Sequence, residues 1–316
     1  MENFLKDKVK LTINNYREAR ESLRNDGDLL NHYASLVYTH YEKEITVERI
    51  KEIRKYIKAT SKRTSPFRGD MLYILSLLIA VNNLDEKKII NEIYETMDLL
   101  VGHGFDECDH LVLTAFAIVK YGKKQNRIDV IKKTKEVFYL LKEKYYNITK
   151  DDDYLVCALW ALNNIEVDTI DEFIDTVFDQ IGKLKIRSKN GVQGLANAII
   201  LNGSSGNMYR TMEVILQLEK REIKLAHQFL PVLGVLTNTN PRKYVDMIEG
   251  VIEILCEEEY EYEYYMDKGF RTIIASVIVS LCTISEKTRY IDELLGHGVY
   301  CFIKSKNQGL FAEILA

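Results

Sequence analysis

The chain has 316 residues, 47% hydrophobic and 28% charged, and its 43 lysines and arginines against 47 aspartates and glutamates leave a net charge of −4. Apolar content at that level excludes a disordered chain, and the near balance of charge disfavours nucleic acid as a partner, whose binders carry a strong basic excess. Only three prolines, Pro66, Pro231 and Pro241, interrupt the chain, which predicts a nearly all-helical protein because proline breaks helix interiors.

In chain order, the first predicted element is a highly charged helix from Met1 to about Leu23, expected to lie outside the main array. Seven apolar stretches follow, each opened by polar residues. They are Leu29–Tyr38 after Asp28, Met71–Val81 after Arg68-Gly69-Asp70, Leu111–Val119 after Asp109-His110, and Tyr154–Leu162 after Asp151-Asp152-Asp153. The remaining three are Val192–Leu201 after Asn190-Gly191, Phe229–Leu236 after His227-Gln228, and Ile273–Leu281 after Asp267 to Arg271. They lack alternation and are rich in leucine and alanine, so they read as buried helices. The preceding aspartates suit helix N-caps and the positive end of the helix dipole. Asn82-Asn83, Gly122, Asn163-Asn164 and Asn202-Gly203 tolerate the left-handed conformation that ends helices.

Between them lie amphipathic helices, predicted over Val47–Ile57, Ile89–Leu100, Ile170–Ile181 and Val245–Leu255, each leaving one charged face for water. One buried helix plus one two-faced helix in roughly forty residues is the length of a helical-hairpin repeat. The expected fold is therefore all-α, about six to seven helical hairpins arranged as a curled α-solenoid or an α/α toroid. No Pro/Gly/Ser-rich linker interrupts the chain, so a single domain over 1–316 is expected, with 1–24 peripheral and 25–316 forming the array.

The five cysteines form no C-x-x-C pair, and an odd count without framework spacing predicts reduced thiols in a cytoplasmic protein. The N-terminal residues lack the apolar core of a secretory signal. The apolar runs, about ten residues at most, are too short to cross a bilayer, so no membrane partner is expected.

The segment Ser65-Pro66-Phe67-Arg68-Gly69-Asp70-Met71-Leu72, with Asp152-Asp153-Tyr154-Leu155, resembles an uncharacterised domain-of-unknown-function family of all-helical proteins from Bacillus and Clostridium relatives. The resemblance covers most of the chain. It implies a cytosolic bacterial protein and transfers no site residues, because that family has no assigned activity.

Chemistry-bearing residues cluster at the helix starts. Asp106, Asp109 and His110 supply oxygen and nitrogen ligands for a divalent metal, as do Asp152 and Asp153 in the densest carboxylate run. Independent helix capping explains the same aspartates. In a closed ring, Asp28, Asp70, Asp109 and Asp153 would share one face with His110, His227, Arg68 and Arg271. That would give a catalytic constellation of His110, Asp109, Asp153 and His227, with Arg68, Asp70 and Arg271 binding. Glu257-Glu258-Glu259-Tyr260-Glu261-Tyr262-Glu263-Tyr264-Tyr265 is acidic and aromatic, suited to a basic partner or to the basic strip Arg54–Arg68. Gly102-His103-Gly104 and Gly296-His297-Gly298 read as joints after helices. Trp160 reads as core. The leading functional expectation is a non-enzymatic repeat protein that binds a peptide or protein. The alternative is a toroid enzyme with an Asp/His, metal-assisted site.

Overall fold

The computed structural model describes residues 2–82, 85–203, 205–236, 240–283 and 290–315. Within these it is 80% helical with no strand, so the fold class is all-α. The helices are α1 (Glu2–Ser22), α2 (Asp28–His40), α3 (Val47–Thr60), α4 (Asp70–Val81), α5 (Glu86–Gly102), α6 (Asp109–Tyr121), α7 (Arg127–Lys144) and α8 (Tyr154–Leu162). They continue with α9 (Val167–Ile181), α10 (Lys189–Leu201), α11 (Ser205–Lys220), α12 (Leu230–Leu236), α13 (Pro241–Glu258), α14 (Tyr260–Tyr264), α15 (Lys268–Thr283) and α16 (Ile291–Leu315). All seven apolar stretches are helical. The sixth begins with a 3-10 turn, His227–Phe229, before α12. Asn83 of the expected helix-ending pair and Met1 of the expected first helix lie outside the described residues.

Contacts gather the chain into two compact units, one of residues 1–47 and 204–316, the other of residues 48–203. In the second unit the expected alternation is realised. Helices α4, α6 and α8 are enclosed nearly all round, Trp160 among their fully buried side chains, while α5, α7 and α9 bury one face and wet the other. In the first unit α1 lies against α2, α13 and α15, burying Val9, Ile13, Tyr16 and Ala19. Phe229, Phe270 and Phe302 pack together with ring centroids 5.2 to 6.1 Å apart, tying the 227–229 turn to α15 and α16.

Two local expectations need correction. Asp28, Asp70 and Asp109 are the first residues of their helices, not the N-caps, which are Gly27, Gly69 and Cys108. Their charges sit at the positive helix ends, which favours carboxylates without a capping bond. Side-chain caps occur elsewhere: Asp85 on Lys88 N, Ser188 on Gly191 N and Asn240 on Lys243 N. Gly104 is left-handed at φ 86° and ends α5 as expected, whereas Gly296-His297-Gly298 lies inside α16. There Gly298 answers a packing demand, since a Cβ would stand 2.7 Å from the Phe229 ring.

Candidate functional site

The predicted site residues are distributed over both units. In the second unit, Arg68 donates to the carbonyls of Lys58 at 2.7 Å and Lys62 at 3.1 Å and also to that of Ser61, so its guanidinium closes the end of α3. Asp70 opens α4, half-buried, and Asp109 and His110 open α6 in the same way. Asp106 is exposed, its backbone N–H 3.5 Å from Tyr154 Oη. The start of α6 packs beside the Asp151–Asp153 turn, where burial and then nearby carboxylates push the Cys108 thiol up to about 11. No three of Asp106, Asp109, His110, Asp152 and Asp153 bring ligand atoms within 4.8 Å of one another. In the first unit, His227 is exposed, and desolvation of part of its ring holds its pKa below the ordinary histidine value. Arg271 donates to Tyr262 O at 2.8 Å and lies 3.1 Å from Cys256 Sγ, fixing the chain between α13 and α15.

Asp152 and Asp153 turn in different directions. Asp152 Oδ2 accepts from Asn190 at 2.7 Å, while Asp153 is buried and accepts from Lys150 N at 3.1 Å and Asn197 Nδ2 at 3.3 Å. Burial, and then the neighbouring Asp152, push the Asp153 carboxyl well above the usual range. Gln193 Nε2 donates to Thr149 Oγ1 at 2.9 Å on the same turn. Sequence reasoning missed Gln193 and Asn197. The available signal was two amides one helical turn apart inside an otherwise apolar helix. It also missed the buried pair of His40 Nδ1 and Asp292 Oδ1, 2.7 Å apart, with Tyr41 donating to Asp292 Oδ2 at 2.8 Å.

The acidic, tyrosine-rich segment is the most distinctive surface. Its inner side is tied to α1: Arg17 pairs with Glu259 at 2.8 Å and Arg20 with Glu261 at 3.3 Å. Tyr262 is fully buried, edge-on to His32 at 5.0 Å, and His32 stacks on Tyr16 at 3.7 Å with the rings 7° from parallel. Tyr16 donates to Asp28 at 2.7 Å. The outer side is free. Tyr260, Tyr264 and Tyr265 are 55%, 70% and 73% exposed. Glu253, Glu257, Glu258 and Glu263 are also exposed, with no ion-pair partner among the described residues. No lysine or arginine lies between Glu253 and Tyr265.

His32 links this face to pH. Burial lowers its pKa below the ordinary value of 6.5, although Asp28, Glu261 and Glu259 oppose the shift. Tyr16 and Arg20 of α1 and Tyr262 of α14 complete its surroundings. A base whose pKa is lower folded than unfolded contributes stability that is full above the unfolded pKa and lost as pH falls toward the folded one. Asp28 titrates in a separate, lower window. Partial burial raises its pKa, but its contacts with His32 and Tyr16 outweigh that, so the net shift is downward. The melting temperature should therefore drop between about pH 7.5 and about pH 5.5, and His32→Phe, which keeps the stacked ring without a titrating nitrogen, should reduce that drop. Equal drops in both proteins would contradict the assignment.

Among known proteins, a family described as "Protein of unknown function (DUF4003)" matches residues 15–308. No curated protein and no solved structure matches the chain.

Proposed function

The chain belongs to the DUF4003 family of proteins of unknown function, and on that premise we propose a non-enzymatic interaction protein that holds a basic peptide or protein segment on the outer face of α14. One observation carries this reading: three tyrosines stand largely in solvent among four carboxylates that have no ionic partner in the described residues. Tyrosine supplies rigid contact area with a polar tip at low entropic cost, and it is enriched at interface centres. Unpaired carboxylates repel one another, and a lysine- or arginine-rich segment relieves that repulsion while its cations pack on the rings. The inner contacts to α1 brace the segment, so little ordering is needed on binding.

Calorimetric titration with a lysine- and arginine-rich peptide tests the proposal. The combined Tyr264→Ala and Tyr265→Ala protein should bind at least about tenfold more weakly, the loss of roughly one hot-spot contact. Affinity should also fall with added salt. Unchanged affinity in the double variant would contradict the reading. So would self-association abolished by the same variant, which would assign the face to a second copy of the chain.

The competing reading is an enzyme using Asp109, His110 and Asp153 of the second unit with a divalent metal, without His227, which belongs to the first unit. It draws on the raised pKa of Asp153, the protonation state a general acid requires. The curled array of six to seven hairpins belongs with the binding reading. Five free thiols support a reducing, cytoplasmic setting. The family resemblance supports a bacterial one. Among the described residues no helix is long and apolar enough to cross a membrane.

A further inference from the structure

Helix α7, in the second unit, carries its cations in two groups. Those on its flanks are neutralised by its neighbours. Arg127 pairs with Glu92 of α5, Lys133 with Glu166 at 3.1 Å, and Lys144 with Asp171 and Asp175 of α9, each at 2.7 Å. Lys132, Lys135 and Lys142 have no carboxylate partner among the described residues. At about 100° per residue, these three lysines, Ile128 and Tyr139 fall within an arc of roughly 80° along the helix. No aspartate or glutamate of α7 enters that arc, although Glu136 and Glu143 border it. The arc faces solvent: Ile128, Lys132 and Tyr139 are exposed, as is Tyr146 just past the end of the helix. Lys135 donates to the His103 carbonyl and lies 5.6 Å from the Tyr139 ring centre, so it is held in place beside that ring. Lys142 lies 5.5 Å from the centre of the Phe138 ring.

A chain of net charge −4 thus presents one acid-free stripe of three unpaired cations, with a tyrosine and an isoleucine between them. Tyrosine concentrates at interface centres, and charges of one sign there select a partner of the other sign. We propose that the outward stripe of α7 docks an acidic protein segment, its carboxylates on Lys132, Lys135 and Lys142 and its apolar side chains on Ile128 and Tyr139. Charge complementarity demands an anionic occupant, and the width of the stripe selects its class. Beside α7 runs α9, where Asp168, Asp171, Glu172, Asp175 and Asp179 are all exposed. A sheet of anionic lipid headgroups is broader than one helix and would press its charge onto α9 as well, whereas a single acidic chain follows α7 alone. Lys132 and Lys142 stand about 15 Å apart along the axis, the length of about five residues of extended chain. This stripe belongs to the second unit and is opposite in charge to the α14 face, so it does not rest on the reading of that face.

The test is fluorescence anisotropy of a labelled glutamate- and leucine-rich peptide titrated with the full chain. The unaltered protein should bind the peptide, with an affinity that falls as salt rises. Lys132→Gln combined with Lys142→Gln should weaken binding at least about tenfold, and Tyr139→Ala at least about threefold. Lys132→Glu alone, at an exposed position, serves should the double variant fail to fold, and it should also weaken binding at least about tenfold. The Tyr264→Ala, Tyr265→Ala protein should bind the acidic peptide as tightly as the unaltered chain, which separates failure here from failure of the α14 face. Absence of binding, or undiminished binding by the lysine variants, would overturn the proposal. So would weakening by the lysine substitutions but not by Tyr139→Ala, which marks diffuse charge attraction. Tighter binding of phosphatidylglycerol vesicles or of oligothymidylate, lost in the same variants, would overturn it by assigning the stripe to a membrane or to single-stranded nucleic acid. Dimerisation lost in those variants would overturn it by assigning the stripe to a second copy of the chain.

Discussion

Replacing Trp160 by alanine is expected to lower stability by about 3–5 kcal/mol, the range for removing a large aromatic side chain from a packed core. Trp160 heads the fully buried side chains in size and lies in α8, which packs against α6, α7 and α10. Its removal takes away the contacts that hold α10 against α8 and leaves a cavity that stiff neighbouring helices refill only in part. Against a total stability of about 5–15 kcal/mol, that loss empties much of the folded population. Trp160→Phe should recover a substantial part of it. Urea denaturation followed by far-ultraviolet circular dichroism measures both, and a change below about 1 kcal/mol for Trp160→Ala would show that α8 is not enclosed as described.

Glu92→Ala should be comparably damaging for an electrostatic reason. The Arg127 side chain, from α7, is only 5% exposed and pairs with Glu92 of α5. Removing the carboxylate strands a guanidinium that cannot shed its charge, at a cost of about 3–5 kcal/mol. Replacing both partners by methionine should restore most of the stability, since an apolar pair needs no compensation. The same denaturation experiment decides the matter. If the double substitution is as unstable as the single one, the loss comes from packing rather than from a stranded charge.

The two arguments rest on features of different legibility. Trp160 could be placed in the core from sequence, because it sits in an apolar run with no polar residue to carry it outward. The Glu92–Arg127 pair could not be foreseen, since its members are separated by 35 residues and each reads alone as a solvated charge. The same distinction runs through the molecule. Helix positions follow from local periodicity, so α4, α6 and α8 were readable. Partners follow from tertiary contacts. By charge alone the acidic run suits the Arg54–Arg68 strip, yet Arg54 bonds to Ser76 within its own unit and α1 supplies cations to the acidic run, some 240 residues away. Asp292 meets His40 across 252 residues. The helix-opening aspartates were visible, but glycine and cysteine cap those helices. Gln193 and Asn197 were hidden by the apolar residues around them.

The α14 face is tested most directly by hydroxyl-radical footprinting, with each tyrosine's oxidation read by mass spectrometry in the presence and absence of a lysine- and arginine-rich peptide. The account predicts strong shielding of Tyr260, Tyr264 and Tyr265, while the comparably exposed Tyr146 and Tyr209 oxidise as before. Undiminished oxidation of the three α14-face tyrosines at saturating peptide, or shielding confined to Tyr146 or Tyr209, would contradict it.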